Sequence, residues 1–236
     1  ADVSDAAGNA AAQVTSASFS VDTTAPSINA IATSDFSWGA VLNSVEDNSD
    51  GTVTVSTVGI ENGQTLTITL NSKAYTNTIT GNSTVVTIDA ADLQALTDGQ
   101  SYTMTADVSD AAGNAATTVT SASFSVDTSA PSISAIGTDA FSWGAVLNLT
   151  EDNANGTVNV STVGVEDGQT LTIVLNGTSY TNTITGGSTV ITIAAADLQA
   201  LTDGQSYTMT ADVSDAAGNA ATQITSSAFS VRNAIP

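Results

Sequence analysis

The sequence predicts an all-β protein, built as tandem immunoglobulin-like β-sandwiches of about seven strands each, arranged end to end. Three observations carry that prediction. The phrase "ADVSDAAGNA" is written at residues 1–10, 106–115 and 211–220, so the chain repeats every 105 residues. That period is the length of a whole domain, long enough to bury its own core. Within a period, Thr, Ser and Val dominate, and apolar and polar residues alternate as in half-buried strands. Clusters of Gly, Asn and Asp punctuate these runs at the spacing of a sandwich.

The elements follow in order. Residues 1–21 read as the closing hairpin of a preceding, truncated repeat. Residues 22–126 form one complete repeat and 127–236 a second. In the first complete repeat, strands are expected at Ser27–Thr33, Thr52–Val58, the "QTLTITLN" run, Tyr75–Thr80, Thr84–Ile88, the "SYTMTADVS" run and Thr117–Val126. In the third of these Leu66, Ile68 and Leu70 face one way and the threonines the other. In the sixth, Tyr102, Met104, Ala106 and Val108 face inward. "DNSDG", "ENG", "TGN", "TDG" and "DAAGN" supply turns. A short helical turn fits Ala90–Leu96. Tyr102, just after "LTDG", stands where a tyrosine corner would, although an ordinary core tyrosine reads the same way. The second repeat copies the first closely: residues 90–117 return unchanged at 195–222.

Charge narrows the function. Two Lys and Arg against 23 Asp and Glu give a net charge of −21, and Lys73 and Arg232 are the only formal cations. Nucleic acid and anionic membrane surfaces are poor partners for such a chain, because phosphate recognition needs clustered Lys and Arg. Divalent cations are good ones, although acid also keeps repetitive chains soluble. The chain has no Cys and no His, which removes thiol chemistry, zinc sites of the usual kind and His-activated nucleophiles. No apolar run is long enough to span a membrane, so no direct membrane insertion is expected. Outward Thr rows resemble an ice-binding array but lie on separate short strands, where Thr suits any solvent face. Acids are plentiful enough for a two-carboxylate glycosidase, but no cleft-forming insertion interrupts the repeat, and no enzyme is expected. A carbohydrate- or surface-binding module would want exposed aromatics, and Trp38 and Trp143 lie in apolar stretches that read as core.

The phrases "TADVSDAAGNAAT", "FSVDTTAPSI" and "VEDGQTLTIVLNGTSYTNTI" resemble the bacterial immunoglobulin-like domains that repeat many times in giant RTX-type and biofilm-associated surface adhesins. The resemblance covers essentially the whole chain. It implies a non-catalytic extender, secreted or held on the bacterial cell surface. Its partners would be the neighbouring repeats of the same chain, and calcium at the junctions would stiffen the array. A surface or glycan ligand would belong to other parts of the full protein. The alternative is a segment of an extracellular filament, in which residues 1–21 complete a neighbour's sheet.

Calcium takes six to eight oxygens, so several acids must converge. At the junction of the two complete repeats, Asp127 is central. Strand order places the loop of Asp212, Asp215 and Asn219 at the leading pole of the second repeat. It places Glu46, Asp47 and Asp50, with Asp98, at the trailing pole of the first. Asp22, Asp107 and Asp110 are the matching acids one repeat earlier. Each acid except Asp22 and Asp127 has a second reading: Asp110 and Asp215 as turn residues, Asp98 as the start of a D-G turn, Glu46 and Asp47 as solvated. In the second repeat "SVDTSAP" becomes "SVRNAIP", and Arg232 opposes calcium at the next pole.

Overall fold

The computed structural model describes residues 2–233. The first complete repeat contains β1 (Ser27–Ile28), β2 (Val41–Leu42), β3 (Gly51–Val58), β4 (Thr65–Leu70), β5 (Lys73–Thr78), β6 (Ser83–Ile88), helix α1 (Ala90–Leu93), β7 (Ser101–Tyr102), β8 (Met104–Asp107), β9 (Val119–Thr120) and β10 (Phe124–Val126). The second repeats the order as β11 (Ser132–Ile133), β12 (Val146–Asn148), β13 (Gly156–Val163), β14 (Thr170–Leu175), β15 (Thr178–Thr183), β16 (Ser188–Ile193), α2 (Ala195–Gln199), β17 (Ser206–Tyr207), β18 (Met209–Asp212), β19 (Ile224–Thr225) and β20 (Phe229–Arg232).

In each repeat a three-stranded sheet (β1-β3-β6 in the first) faces a four-stranded one (β5-β4-β8-β9). The facing sides bury the alternate apolar residues: Val53 and Val55 from β3, Leu66, Ile68 and Leu70 from β4, Met104 and Ala106 from β8. The result is one hydrophobic core between Ile28 and Val126 and another between Ile133 and Val231. Trp38 stacks on Phe36 and meets Phe124 edge-on, and Trp143 repeats this with Phe141 and Phe229. Both tryptophans belong to the core, as expected.

Three strands depart from the sequence reading, the first being the "SYTMTADVS" run, which divides at Thr103 into β7, paired with β10, and β8, paired with β4. The run expected as one strand over Ser27–Thr33 pairs with β3 only at Ser27–Ile28. The chain then turns through Thr33–Asp35, where the Asp35 carboxylate accepts from the Ala32 N–H at 2.7 Å. It rejoins the sandwich as β2, which pairs in parallel with β10. The run expected over Thr117–Val126 breaks at Ser121, whose hydroxyl accepts from Met104 N–H while Ala122 N–H bonds the Ile31 carbonyl. That switch carries the last strand from β8 across to β2 and β7. The final strand therefore ends at the trailing pole beside residues 41–43. Tyr102 fulfils the corner reading: its hydroxyl accepts from the Thr97 N–H at 2.9 Å, and Tyr207 does so from Thr202 at 3.0 Å.

In residues 2–22 a single bridge joins Ser4 to Ala10, and Val14, Phe19 and Val21 are exposed. No described helix is long and apolar enough to cross a membrane.

Candidate metal site at the junction between repeats

The three "DAAGN" copies fold into one loop shape. In the third, the Asp215 carboxylate accepts from Asn219 N–H at 2.8 Å and from the Asn219 amide at 2.9 Å, closing the loop on itself. Gly218 takes a left-handed backbone, φ +96°, which costs glycine little. Asp110 with Asn114 and Asp5 with Asn9 repeat the arrangement. These acids are thus turn residues in this geometry, each holding its own loop.

The junction itself gathers around Asp127. Its backbone N–H bonds the Leu42 carbonyl of the first repeat at 3.0 Å. Its backbone carbonyl accepts from the Asn219 amide of the second at 2.9 Å. Beside it, the Asp98 carboxylate accepts from Thr128 N–H at 2.7 Å and the Ser129 hydroxyl at 2.6 Å. Asp98, Asp127 and Glu166 line one cavity of about 410 Å³, with Gly99, Ala216 and Ala217. Glu166 caps the Asp215 loop by accepting from Ala216 N–H at 2.8 Å.

Electrostatics distinguish the acids. Burial, then the Asp215 charge, push the Asp127 pKa above the ordinary carboxylate value, with smaller contributions in the same direction from Asp98 and Glu166. Bonds from Ser129 and Thr128 hold Asp98 below it. The surroundings thus disfavour the charged form of Asp127, although its Oδ1 accepts from Ser129 N–H at 3.3 Å and from the Asn219 amide at 3.4 Å.

The structure brings Asp127, Asp98 and Asp215 to one junction and engages the other candidates elsewhere or with their own loops. Asp212 ends β18, accepts from Gln223 at 2.9 Å and lines a different groove with Gln169 and Thr172. Asp107 does the same with Thr118 in the first repeat. Half-buried Glu46 accepts from the N–H of Asn43, itself a junction residue, at 3.1 Å, Asp47 sits in the short helical turn Glu46–Asn48, and Asp50 accepts from Ala90 N–H at 3.0 Å. Asp22 meets Asn114 through its carbonyl at 3.3 Å. Among the described residues, no three acids already stand in metal-ligand geometry. Three of the residues that line the 410 Å³ cavity, Asp98, Asp127 and Glu166, nonetheless carry carboxylates, the hard, anionic kind of ligand calcium takes.

Sequence reasoning missed Glu166, Asn43 and Ser44. Glu166 has a counterpart at Glu61, which likewise caps the earlier loop through Ala111 N–H at 3.0 Å. Recurrence at the repeat period was its only signal, and it reads as turn chemistry. Asn43 donates to the Ala217 carbonyl at 2.9 Å and Ser44 N–H to the Asn219 amide oxygen at 2.8 Å, both across the junction.

Comparison with known proteins agrees with this architecture. Over its full length the chain is similar to the structure of the Ca²⁺-stabilised adhesin with which an Antarctic bacterium reaches out and binds ice, with 29% identity, a TM-score of 0.55 and 56% of that chain covered. A structure of a 1.5-MDa bacterial ice-binding adhesin, concerned with its retention at the host cell surface, matches over 99% of this chain and 73% of that one, with 27% identity and a TM-score of 0.51. Chitinase A1 of Niallia circulans is 34% identical over 223 residues, which are 91% of this chain but only 27% of the chitinase. The chain thus spans just over half of the first adhesin structure and about a quarter of the chitinase. The profile of the family described as "Bacterial Ig-like domain (group 3)" matches residues 1–125, more than half of the chain, and the protein belongs to that family of bacterial immunoglobulin-like domains.

Proposed function

We propose that this chain is a non-catalytic spacer of a bacterial cell-surface adhesin, with calcium bound between its repeats to stiffen the string. The observation that carries the spacer reading is the pole-to-pole joint. The trailing loops of one sandwich bond directly to the leading loop of the next, through Ser44 to Asn219 and Asn43 to Ala217. Tandem sandwiches joined at their poles lengthen the chain domain by domain, an arrangement suited to holding something else at a distance. The likeness to ice-binding adhesins supports the same role. The shared region with the chitinase is a quarter of that enzyme, so it supports a module common to both and not the enzyme's chemistry.

Calcium is the finer part of the proposal. Asp127, Asp98 and Glu166 would supply carboxylate oxygens into the cavity they share, with water completing the shell. A dication there would offset both the burial and the neighbouring negative charge that raise the Asp127 pKa. Affinity of order 10⁻⁴–10⁻³ M is expected, as in extracellular modules. Saturation at a hundred times the dissociation constant would stabilise the binding form by about 2.7 kcal/mol. Magnesium would substitute poorly, since it demands a tight octahedron. The test is thermal melting and small-angle scattering of the parent and Asp127→Asn, in calcium and in chelator. The parent should melt higher in calcium and the variant should not respond. A parent indifferent to calcium, or a variant that responds equally, defeats the calcium reading.

A further inference from the structure

We propose that Asn219 is the positioning residue that sets the orientation of the second repeat on the first, through hydrogen bonds that need no metal. The proposal concerns the same junction as the calcium reading but does not rest on it.

Asn219 is completely buried, 0% exposed, though it lies in a surface loop. A buried side-chain amide has to be satisfied on both its oxygen and its nitrogen. Its oxygen accepts from Ser44 N–H of the first repeat at 2.8 Å. Its nitrogen donates to the Asp127 carbonyl of the linker at 2.9 Å and to the Asp215 carboxylate of its own loop at 2.9 Å. One side chain thus ties together the two sandwiches and the linker. Only an amide suits all three places: an aspartate would set a carboxylate against Asp215 and a carbonyl, and an alanine would leave the Ser44 N–H without its acceptor.

The surroundings fit a tight joint. Asn43 donates to the Ala217 carbonyl in parallel with the Ser44 bond. A Cβ at Gly218 would lie 3.3 Å from the Asn43 amide nitrogen, so the glycine also admits the neighbouring repeat. The counterpart loops supply an internal contrast. Asn9 is exposed, Asn114 half-buried and Asn219 buried, although all three hold the same local bonds to the aspartate four residues before. Asn114 still donates to the linker carbonyl of Asp22 at 3.3 Å, but among the described residues its oxygen takes no N–H from another sandwich. The local loop is therefore common to all copies, and Asn219 is the one of the three asparagines that has a preceding sandwich among the described residues to bond.

The experiment exploits that contrast. The chain has no cysteine, so Thr76→Cys and Ser179→Cys on the exposed edge strands β5 and β15 allow one spin label per repeat. Distance distributions are then measured by electron–electron resonance in chelator. The parent should give a single narrow maximum. Asn219→Ala and Asn219→Asp should lose it, while Asn114→Ala, which breaks the same local bonds, should keep it. Asn43→Ala, which leaves the bonds between Asp215 and Asn219 in place, should broaden the distribution to a lesser degree and covers the case in which an Asn219 variant misfolds by circular dichroism. A broad parent in chelator overturns the proposal, as does an Asn219 variant that matches the parent, or equal broadening in Asn114→Ala. A parent that is broad in chelator and narrow in calcium would leave the calcium reading standing alone. A parent narrow in chelator and indifferent to calcium would leave the clasp alone.

Discussion

The trailing poles of the two repeats are built alike and charged differently. In the first, Asp98 accepts from Thr128 N–H at 2.7 Å; in the second, Asp203 accepts from Asn233 N–H at 3.0 Å. The Asn43 carbonyl oxygen of the side-chain amide caps Val45 and Glu46, and that of Asn148 caps Thr150 and Glu151. Yet Asp127 in the first linker is replaced by Arg232, which stands over Gly204 with its guanidinium 3.7 Å from where a Cβ would be. Asp152, counterpart of the half-buried Asp47, is buried and accepts from the Asn233 amide at 3.1 Å. The loop shapes are encoded locally and copied with the repeat. The electrostatic character of a junction depends on one linker residue, so adjacent poles of the same shape can differ in their demand for a cation.

The largest expected effect tests whether the cores are as equal as the comparison assumes. Gly51 and Gly156 lie under Trp38 and Trp143, and a Cβ at either would enter the indole and the neighbouring Leu93 or Leu198. Gly51→Ala and Gly156→Ala should each cost about 1–3 kcal/mol by overpacking, in similar amounts, read by denaturant unfolding. Clearly unequal costs would mean that the repeats differ in more than their poles.

A smaller effect isolates the charge at the first pole. Because the native pKa of Asp127 lies above its unfolded value, the native state binds more protons in the window between them. Stability then falls as pH rises through that window, and the ionised form is unfavourable above it. Asp98, shifted down, acts oppositely and loses its contribution as pH falls through its native pKa. In chelator at about pH 7, Asp127→Asn should melt above the parent, and the gap should close as pH is lowered through the carboxylate range toward about 4. A variant that melts below the parent at neutral pH would show that the Asp127 charge is already compensated.

The smallest effect comes from giving the second pole the charge of the first. Arg232 is exposed, so Arg232→Asp should change stability in chelator by no more than about 1 kcal/mol, downward, since it adds an acid near Asp203 and Asp152. A loss as large as that of the glycine variants would assign Arg232 a structural role beyond its charge.

The sequence by itself determined the repeat, the all-β class and the two cores, put Asp127, Asp98 and Asp215 among a wider set of acids expected at one junction, and left Tyr102 open between a corner and a core tyrosine. These follow from period and alternation, which are local signals, and from strand order, which places loops at poles. Tertiary structure alone decided where strands change sheets. The breaks at Thr33–Asp35 and Ser121 depend on partners such as Met104 and Ile31, far away in sequence. It also decided which acids face the junction. Alternation along β18 and the nearby Gln223 turn Asp212 away, while Glu166 arrives from a turn read only as a turn. Above all it decided that Asn219 is buried. The same "DAAGN" is exposed, half-buried or buried according to what covers it, and no local sequence records the arrival of Ser44 from another sandwich.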